Sequence, residues 1–254
     1  MKRLIASAAL FAGLLCNAKS APVPTYDDLR YSEAYGRSTL DLWLPQSDEP
    51  TPLILVFHGG GFKAGSKERN MPQRKALLQL LDDGIAVASV GYPFLGDRGT
   101  GGQIGNLDYA TILMETANSI RFLQANADKY NLDPERFVVG GSSAGAVITI
   151  YLTYAEPLGI SACLPMEQPY GVEMIQGFIR EGGAPMILCT YSGENDCVHH
   201  PQFARAIKER CDEVGVTCYL YGSGSNGLPA IPEGQALIPH AMEIIRAVWA
   251  GQAE

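Results

Sequence analysis

One short stretch limits what this chain can fold into more than any other. A short apolar run at residues 137–139 is followed by six small residues, Gly-Gly-Ser-Ser-Ala-Gly at 140–145. A second apolar run begins at Ala146. A strand that reverses sharply into a helix needs residues without a Cβ at the reversal, and glycine meets that need. The stretch therefore predicts a buried strand, a very tight turn and a helix.

Ser143 is the candidate nucleophile of this turn. It stands at the centre of a G-x-S-x-G pattern between Gly141 and Gly145, whereas Ala144 occupies the place where Ser142 would need its second glycine. A serine hydroxyl is a competent nucleophile only beside a base and beside N–H donors that receive the developing oxyanion. Because Gly and Ser also crowd together in ordinary loops, the interpretation depends on an acid, a base and a second oxyanion donor elsewhere in the chain.

The rest of the chain alternates apolar runs of strand length with longer helical patterns. Strands are predicted over 39–44, 53–57, 85–90, 137–139, 160–164, 185–191 and 217–221, and helices over about 72–81, 107–130, 144–154, 201–214 and from His240 onward. This alternation is typical of an α/β protein with a mostly parallel central sheet and helices on both faces. Ligands of such sheets bind beyond the carboxyl ends of the strands, so residues that directly follow strands are candidate site residues. The length, 254 residues, suits one domain.

The first twenty residues are predicted to be a secretory signal peptide. Lys2 and Arg3 precede an uncharged apolar run at 4–15, and small residues surround a cleavage point before Ala21. The run is shorter than the ~20 residues that a membrane-spanning helix needs. We therefore expect a secreted or periplasmic protein with a signal at 1–20, one folded domain at 21–254 and no membrane span in the mature chain.

Composition disfavours some partners and leaves the cysteines open. With 19 Lys and Arg against 27 Asp and Glu, the net charge is -8, which disfavours binding to the phosphate backbone of nucleic acids. No C-x-x-C or H-E-x-x-H spacing is present, so neither a metal nor another cofactor is expected. Beyond the signal the sequence has an odd number of cysteines, whose pairing it does not reveal: Cys163, Cys189, Cys197, Cys211 and Cys218. Cys211 and Cys218 are the pair to test first.

A second glycine-rich stretch, His58-Gly59-Gly60-Gly61, directly follows the predicted strand at 53–57. Together with the elbow at Ser143, the sheet pattern and an acid-then-histidine order downstream, this stretch resembles the α/β-hydrolase superfamily. More narrowly, the chain is similar to carboxylesterases with an H-G-G-G motif, such as the hormone-sensitive-lipase-like and the feruloyl or acetyl-xylan esterases. The resemblance covers about residues 40–249 and implies a catalytic domain of the α/β-hydrolase fold. No large cap domain is expected, because the segment ahead of the first predicted strand is short.

The resemblance implies roles for the glycine-rich residues. The backbone N–H groups of Gly60, Gly61 and Ala144 would form the oxyanion hole for the intermediate formed on Ser143. His58 would organise its loop and would not act as the base.

The resemblance also implies an acid followed by a base. Asp196, which follows the strand at 185–191, is the predicted acid, with Glu194 and Glu167 as competitors. His240 is the predicted base, because it is the only histidine after the last predicted strand. The long loop ahead of it holds no Gly-His pair. His199 and His200 follow the acid closely and are expected to lie at the substrate edge or on the surface.

The implied reaction is ester hydrolysis through an acyl-enzyme, on a small-molecule or glycan ester. A site roofed only by loops at 94–106, 166–183 and 222–239 is expected to be open. An open site favours short-acyl esters of bulky alcohols, such as acetyl or feruloyl groups on carbohydrate, with activity that falls beyond about butyrate. Two alternatives remain: hydrolysis of an amide or peptide by the same triad, as in an aryl-formamidase or a small exopeptidase, and an inactive hydrolase fold that serves as a binding protein.

Overall fold

The computed structural model of the chain describes residues 22–68, 74–100 and 107–252. The predicted signal at 1–20 lies outside these ranges. Within them, the strands are β1 (Tyr26–Arg30), β2 (Thr39–Trp43), β3 (Thr51–Phe57), β4 (Ala86–Val90), β5 (Leu132–Ser142), β6 (Ala162–Met166), β7 (Met186–Thr190) and β8 (Cys218–Gly222). The helices are α1 (Arg74–Asp82), α2 (Tyr109–Ala125), α3 (Ala127–Tyr130), α4 (Ala144–Tyr154), α5 (Pro201–Glu213) and α6 (Leu237–Trp249). Two short 3₁₀ turns cover Val172–Met174 and Gln176–Phe178. None of the described helices is long and apolar enough to cross a membrane.

The strands form one sheet in the order β1-β2-β4-β3-β5-β6-β7-β8. The strands from β4 to β8 in this order pair in parallel, whereas β2 runs antiparallel to both β1 and β4. The predicted mostly parallel sheet is therefore confirmed. Strand β1 was not predicted, because its residues are exposed or half-buried and carry no apolar run.

Helices cover both faces of the sheet. The core on one face includes apolar residues of α2, α4 and α5, and the core on the other face includes apolar residues of α1 and α6. Strand β4 is buried along its whole length and β3 along almost all of it, as expected for unbroken apolar strands with both faces covered.

Two predicted helix bounds differ from the structure. The helix predicted over 107–130 is divided at Asn126 into α2 and α3. Helix α6 begins at Leu237, earlier than predicted, and Pro239 lies in its first turn, where a missing N–H breaks no helical hydrogen bond. His240 therefore lies within a helix and not on the loop before it.

All five described cysteines are unpaired. Burial raises the pKa of the Cys163 thiol to about 12 and that of Cys189 to about 11, so both remain protonated and unreactive. The thiols of Cys211 on α5 and Cys218 on β8, the pair predicted for testing first, are buried and form no disulfide. Cys197 is exposed.

Lys67 ties the loop after β3 to the first strands of the sheet. Its side chain is almost completely buried, and its ammonium lies 2.6 Å from Oδ1 of Asp41 on β2 and 2.9 Å from Oδ1 of Asp28 on β1. The backbone carbonyl of Lys67 accepts a hydrogen bond of 2.6 Å from the Ser89 hydroxyl on β4. Asp41 is also buried, so its carboxylate depends on Lys67 for compensation of its charge.

We expect Lys67→Met to lower the free energy of unfolding by about 3 kcal/mol, because it leaves Asp41 buried and unpaired. Chemical denaturation followed by circular dichroism measures the loss. Lys63→Met is the matched control, because Lys63 lies in the same loop but is exposed, and its change should stay below about 0.5 kcal/mol. An equal loss in the two variants would contradict the role of the buried ion pair.

Candidate active site

Ser143 stands at the turn between β5 and α4, with backbone φ of 56°, in the left-handed region that non-glycine residues rarely adopt. The two flanking glycines make this turn possible. A Cβ at Gly145 would lie 2.1 Å from the Phe57 carbonyl oxygen, and one at Gly141 would lie 2.6 Å from the Gly145 carbonyl oxygen. The turn thus has the strand, tight reversal and helix that the G-x-S-x-G pattern predicts.

The Ser143 hydroxyl is hydrogen-bonded to a histidine of the loop that follows β7. Its Oγ lies 3.0 Å from Nε2 of His199, and Nδ1 of the same ring lies 3.2 Å from Oδ2 of Asp196. With the Nδ1 proton directed at the carboxylate, Nε2 is left to accept the proton of the serine hydroxyl. Ser143, His199 and Asp196 therefore form a continuous chain in which a nucleophile, a base and an orienting acid can act together.

The structure contradicts the prediction of His240 as the base. Its Nε2 lies 2.9 Å from the Tyr221 hydroxyl, and its Nδ1 faces the Glu243 carboxylate at 3.7 Å. The physical reason is the early start of α6, which places His240 in the first turn of a helix whose apolar residues pack on the opposite face of the sheet from α4.

His199 was missed because it follows the predicted acid by only three residues. The loop folds back between the two: Oδ1 of Asp196 accepts the backbone N–H groups of Val198 at 2.8 Å and His199 at 2.9 Å. This turn brings the imidazole back over the carboxylate that precedes it. A histidine three residues after an acid, just beyond the carboxyl end of a strand, was the signal available in the sequence.

Asp196 remains ionised because of the donors around it. The N–H groups of His199 and Val198, together with the Ser192 hydroxyl, hold the pKa of the Asp196 carboxyl well below its usual range. A depressed pKa means that the carboxylate keeps its charge until strongly acidic pH, so its orienting role is retained across the neutral range. Of its two competitors, Glu194 is exposed, and Glu167 accepts the backbone N–H of Tyr191 at 2.9 Å.

The glycine-rich loop after β3 lies against the elbow. A Cβ at Gly59 would lie 3.2 Å from Cβ of Ser143, and Gly60 and Gly61 have positive φ of 117° and 61°. Among the described residues, no hydrogen-bond acceptor of the protein takes the N–H groups of Gly60, Gly61 or Ala144. These N–H groups are thus available to an oxyanion, and their predicted role as an oxyanion hole stays a prediction.

The His58 side chain holds the shape of this loop. Its ring stacks on Tyr92 at 4.2 Å, and its Nδ1 donates to the Gly59 carbonyl at 2.7 Å. Burial lowers the pKa of His58, which favours the neutral ring. The Tyr92 hydroxyl in turn donates to the His58 carbonyl at 2.6 Å. These contacts agree with a loop-organising side chain.

A cavity of about 370 Å³ opens beside Ser143. It is lined by Gly61, Phe62, Tyr109, Ala110, Leu113, Met114, Ser143, Ala144, Val147, Tyr151, Pro169, Tyr170, Met174, Ile175, Phe178 and Val198. No Asp, Glu, Lys, Arg or His side chain is among them. Two edge-to-face aromatic pairs contribute to the lining: Phe62 with Tyr109 at 5.2 Å and Tyr151 with Phe178 at 5.6 Å between ring centroids. The cavity suits an uncharged, apolar group.

The cavity mouth carries most of the exposed large apolar side chains of the described residues. These are Tyr109, Met114, Tyr170, Met174 and Val198, of which Tyr170 is 66% and Met174 62% exposed. The expected open site agrees with this exposure. Of the three loops predicted to roof it, the one at 166–183 lines the cavity, whereas no residue of 222–239 does; part of the loop at 94–106 lies outside the described residues.

Comparison with solved structures identifies the architecture. Esterase 2 of Thermogutta terrifontis, solved phosphonylated by sarin, superimposes with a TM-score of 0.68 at 17% identity, over 91% of this chain and 97% of that one. A truncated carbohydrate esterase from gut microbiota superimposes with a TM-score of 0.67 at 14% identity, over 89% and 95% of the two chains. The chain has the α/β-hydrolase fold. The fold implied by the sequence resemblance is thereby confirmed, and the narrower H-G-G-G subgroup stays a prediction.

Sequence comparisons agree with this fold. Residues 40–157 of the chain match the BD-FAE family model. Gut esterase 1 of Caenorhabditis elegans is 26% identical over 197 residues, which cover 73% of this chain and 33% of that protein. Phenmedipham hydrolase of Pseudarthrobacter oxydans is 30% identical over 109 residues, or 42% of this chain and 21% of that protein. The chain thus spans a third or less of the length of these curated relatives.

Proposed function

We propose that this α/β-hydrolase is a serine carboxylesterase that uses Ser143 as nucleophile, His199 as base and Asp196 as acid. The observation that carries the proposal is the hydrogen-bonded chain from the Ser143 hydroxyl through His199 to Asp196, beside an apolar cavity. The names of the curated relatives, an esterase and a hydrolase, support the same reaction class.

The proposed reaction proceeds in two halves. Nε2 of His199 takes the hydroxyl proton as Ser143 Oγ attacks the ester carbonyl. The N–H groups of Gly60, Gly61 and Ala144 donate to the carbonyl oxygen, where the negative charge develops. The imidazolium then protonates the leaving alcohol, and the acyl group remains on Ser143. Water, deprotonated by the same ring, hydrolyses the acyl-enzyme and restores the serine.

The cavity favours an acyl group larger than acetyl. An apolar cavity of ~150 Å³ already accommodates benzene, and the cavity beside Ser143 is more than twice that size. An acetyl group would leave most of its apolar lining uncovered, whereas an aromatic or medium-chain acyl group would cover it. We therefore propose apolar acyl esters, of which a feruloyl-type group is one, in place of the short-acyl preference expected from an open site.

A panel of p-nitrophenyl esters from acetate to octanoate, with cinnamate, tests the proposal. We expect kcat/KM of the purified wild-type protein to rise from acetate to the larger acyl groups, because each buried CH₂ contributes about 0.8 kcal/mol. Leu113→Trp fills the cavity and should lower kcat/KM for octanoate and cinnamate about 10-fold, with acetate changed less than about 3-fold.

Ala125→Trp is the matched control, because Ala125 lies on the same helix but is exposed and does not line the cavity. It should leave the acyl profile unchanged. A wild-type profile that peaks at acetate would reject the acyl proposal, and the absence of activity on every ester would reject the function itself.

The cellular location is proposed from the sequence, and the place of the alcohol component from the exposed residues at the cavity mouth. The signal-like residues 1–20 support a secreted or periplasmic esterase. The exposed apolar residues at the mouth, including Tyr170 and Met174, offer a surface for the part of the ester that extends beyond the cavity.

A further inference from the structure

Glu167 joins the two halves of the proposed catalytic machinery. It directly follows β6, and its carboxylate accepts the backbone N–H groups of Tyr191 at 2.9 Å and Ser192 at 3.4 Å. These two residues open the loop that carries Asp196 and His199. The carboxylate of Glu167 therefore holds the beginning of the acid–base loop.

The backbone of Met166 and Glu167 is bonded to the nucleophile elbow and to β7, the strand that precedes the acid–base loop. The carbonyl of Met166 accepts the N–H of Ser143 at 3.0 Å, and the N–H of Glu167 donates to the Cys189 carbonyl at 2.8 Å. One short segment is thus bonded to the nucleophile elbow through Met166 and to the acid–base loop through Glu167.

The conformation of Glu167 is unfavourable for its residue type. Its φ is 48°, in the left-handed region where a residue with a Cβ is strained. Among the described non-glycine residues only a few share this feature, and one of them is Ser143 itself. Such strain persists when the surrounding contacts hold the residue, and here the contacts are the two N–H groups that its carboxylate receives.

Ser192 connects the carboxylate of Glu167 to Asp196, the proposed acid. Its hydroxyl donates to Oδ2 of Asp196 at 3.0 Å, and its carbonyl accepts the Asn226 amide at 3.0 Å. Asn226 is buried and also donates to the Thr190 carbonyl at 2.7 Å. Ser192 is therefore held from the β6 side by Glu167 and from the β8 side by Asn226.

We propose that Glu167 is a positioning residue that sets the separation between Ser143 and His199. The inference rests on the proposed function, since it assigns Glu167 a part in that reaction. Without the carboxylate, the N–H groups of Tyr191 and Ser192 turn to water and the loop that carries His199 shifts. A displacement of about 1 Å at a reacting group can cost about 100-fold in rate.

The experiment compares Glu167→Ala and Glu167→Gln with wild type, with kcat normalised to the sites titrated by a fluorophosphonate probe. We expect Glu167→Ala to lower kcat about 30- to 100-fold with KM changed less than about 2-fold, because the cavity is untouched. Glu167→Gln keeps one carbonyl oxygen for Tyr191 and should lose only about 5-fold. Glu194→Ala, an exposed glutamate of the same loop, should retain wild-type kcat.

The normalisation separates positioning from a loss of folded protein, because misfolded sites do not react with the probe. Wild-type kcat per titrated site in Glu167→Ala, or a rise in KM at unchanged kcat, would overturn the inference and leave the proposed function intact. If Glu167→Ala fails to fold, Glu167→Gln decides by the same criteria. A wild-type protein that neither hydrolyses esters nor reacts at Ser143 would instead reject the proposed function.

Discussion

Replacement of His199 by alanine is expected to lower kcat for ester hydrolysis by about 10⁶-fold, because removal of the base from a serine–histidine pair costs about as much as removal of the nucleophile. The His199 Nε2 that lies 3.0 Å from the Ser143 hydroxyl is the base of the proposed mechanism. Steady-state kinetics on the best ester of the acyl panel measures the loss, and circular dichroism confirms that the variant is folded.

His240→Ala is the matched control. It distinguishes His199, the base proposed from the structure, from His240, the base predicted from the sequence. His240 bonds to Tyr221 and lies in α6, so its loss should change kcat less than about 3-fold, although it can lower stability slightly. If His240→Ala abolishes activity while His199→Ala retains it, the mechanism proposed from the structure is wrong and the original prediction of the base is restored.

The second large effect is expected from Ser143→Ala. Loss of the nucleophile should lower kcat by about 10⁶-fold and leave only the residual catalysis supplied by binding and by the oxyanion donors. A fluorophosphonate probe should add its mass to the peptide that carries Ser143 in the wild-type protein, and mass spectrometry should find no adduct in the variant.

Ser142→Ala controls for the neighbouring hydroxyl. Ser142 ends β5, and no described hydrogen bond joins its hydroxyl to His199. The variant should retain probe labelling and activity within about 3-fold of wild type. Labelling that disappears in Ser142→Ala and persists in Ser143→Ala would show that Ser142 is the nucleophile and would contradict the assignment of Ser143.

Much of the fold was predictable because the apolar patterns of the sequence match the burial of the strands in the structure. The unbroken apolar runs of β3 and β4 predicted strands with both faces covered, and both strands are covered. Strand β1 was missed because it lies at the edge of the sheet, where exposed and half-buried polar residues such as Asp27 are tolerated and periodicity gives no signal. The start of α6 was missed because Pro239 resembles a helix boundary although it is compatible with a first turn.

The sequence by itself determined the elbow. Gly141 and Gly145 flank Ser143 at positions where any Cβ would overlap backbone atoms, so the residue pattern and the turn are linked by sterics alone. The loop of His58 to Gly61 was determined in the same way, since glycine there permits positive φ against the elbow.

Only the tertiary structure decided which histidine meets the serine. Chain order favours His240, which follows the last strand, but a side chain acts through its position in space. Asp196 turns its own loop by accepting the N–H groups of Val198 and His199, and that turn carries His199 to the Ser143 hydroxyl. Helix α6 packs its apolar residues on the face of the sheet opposite to α4, and His240 is hydrogen-bonded there to Tyr221. The histidine that meets Ser143 was therefore decided by loop hydrogen bonds and helix packing, which the order of the histidines along the chain does not reveal.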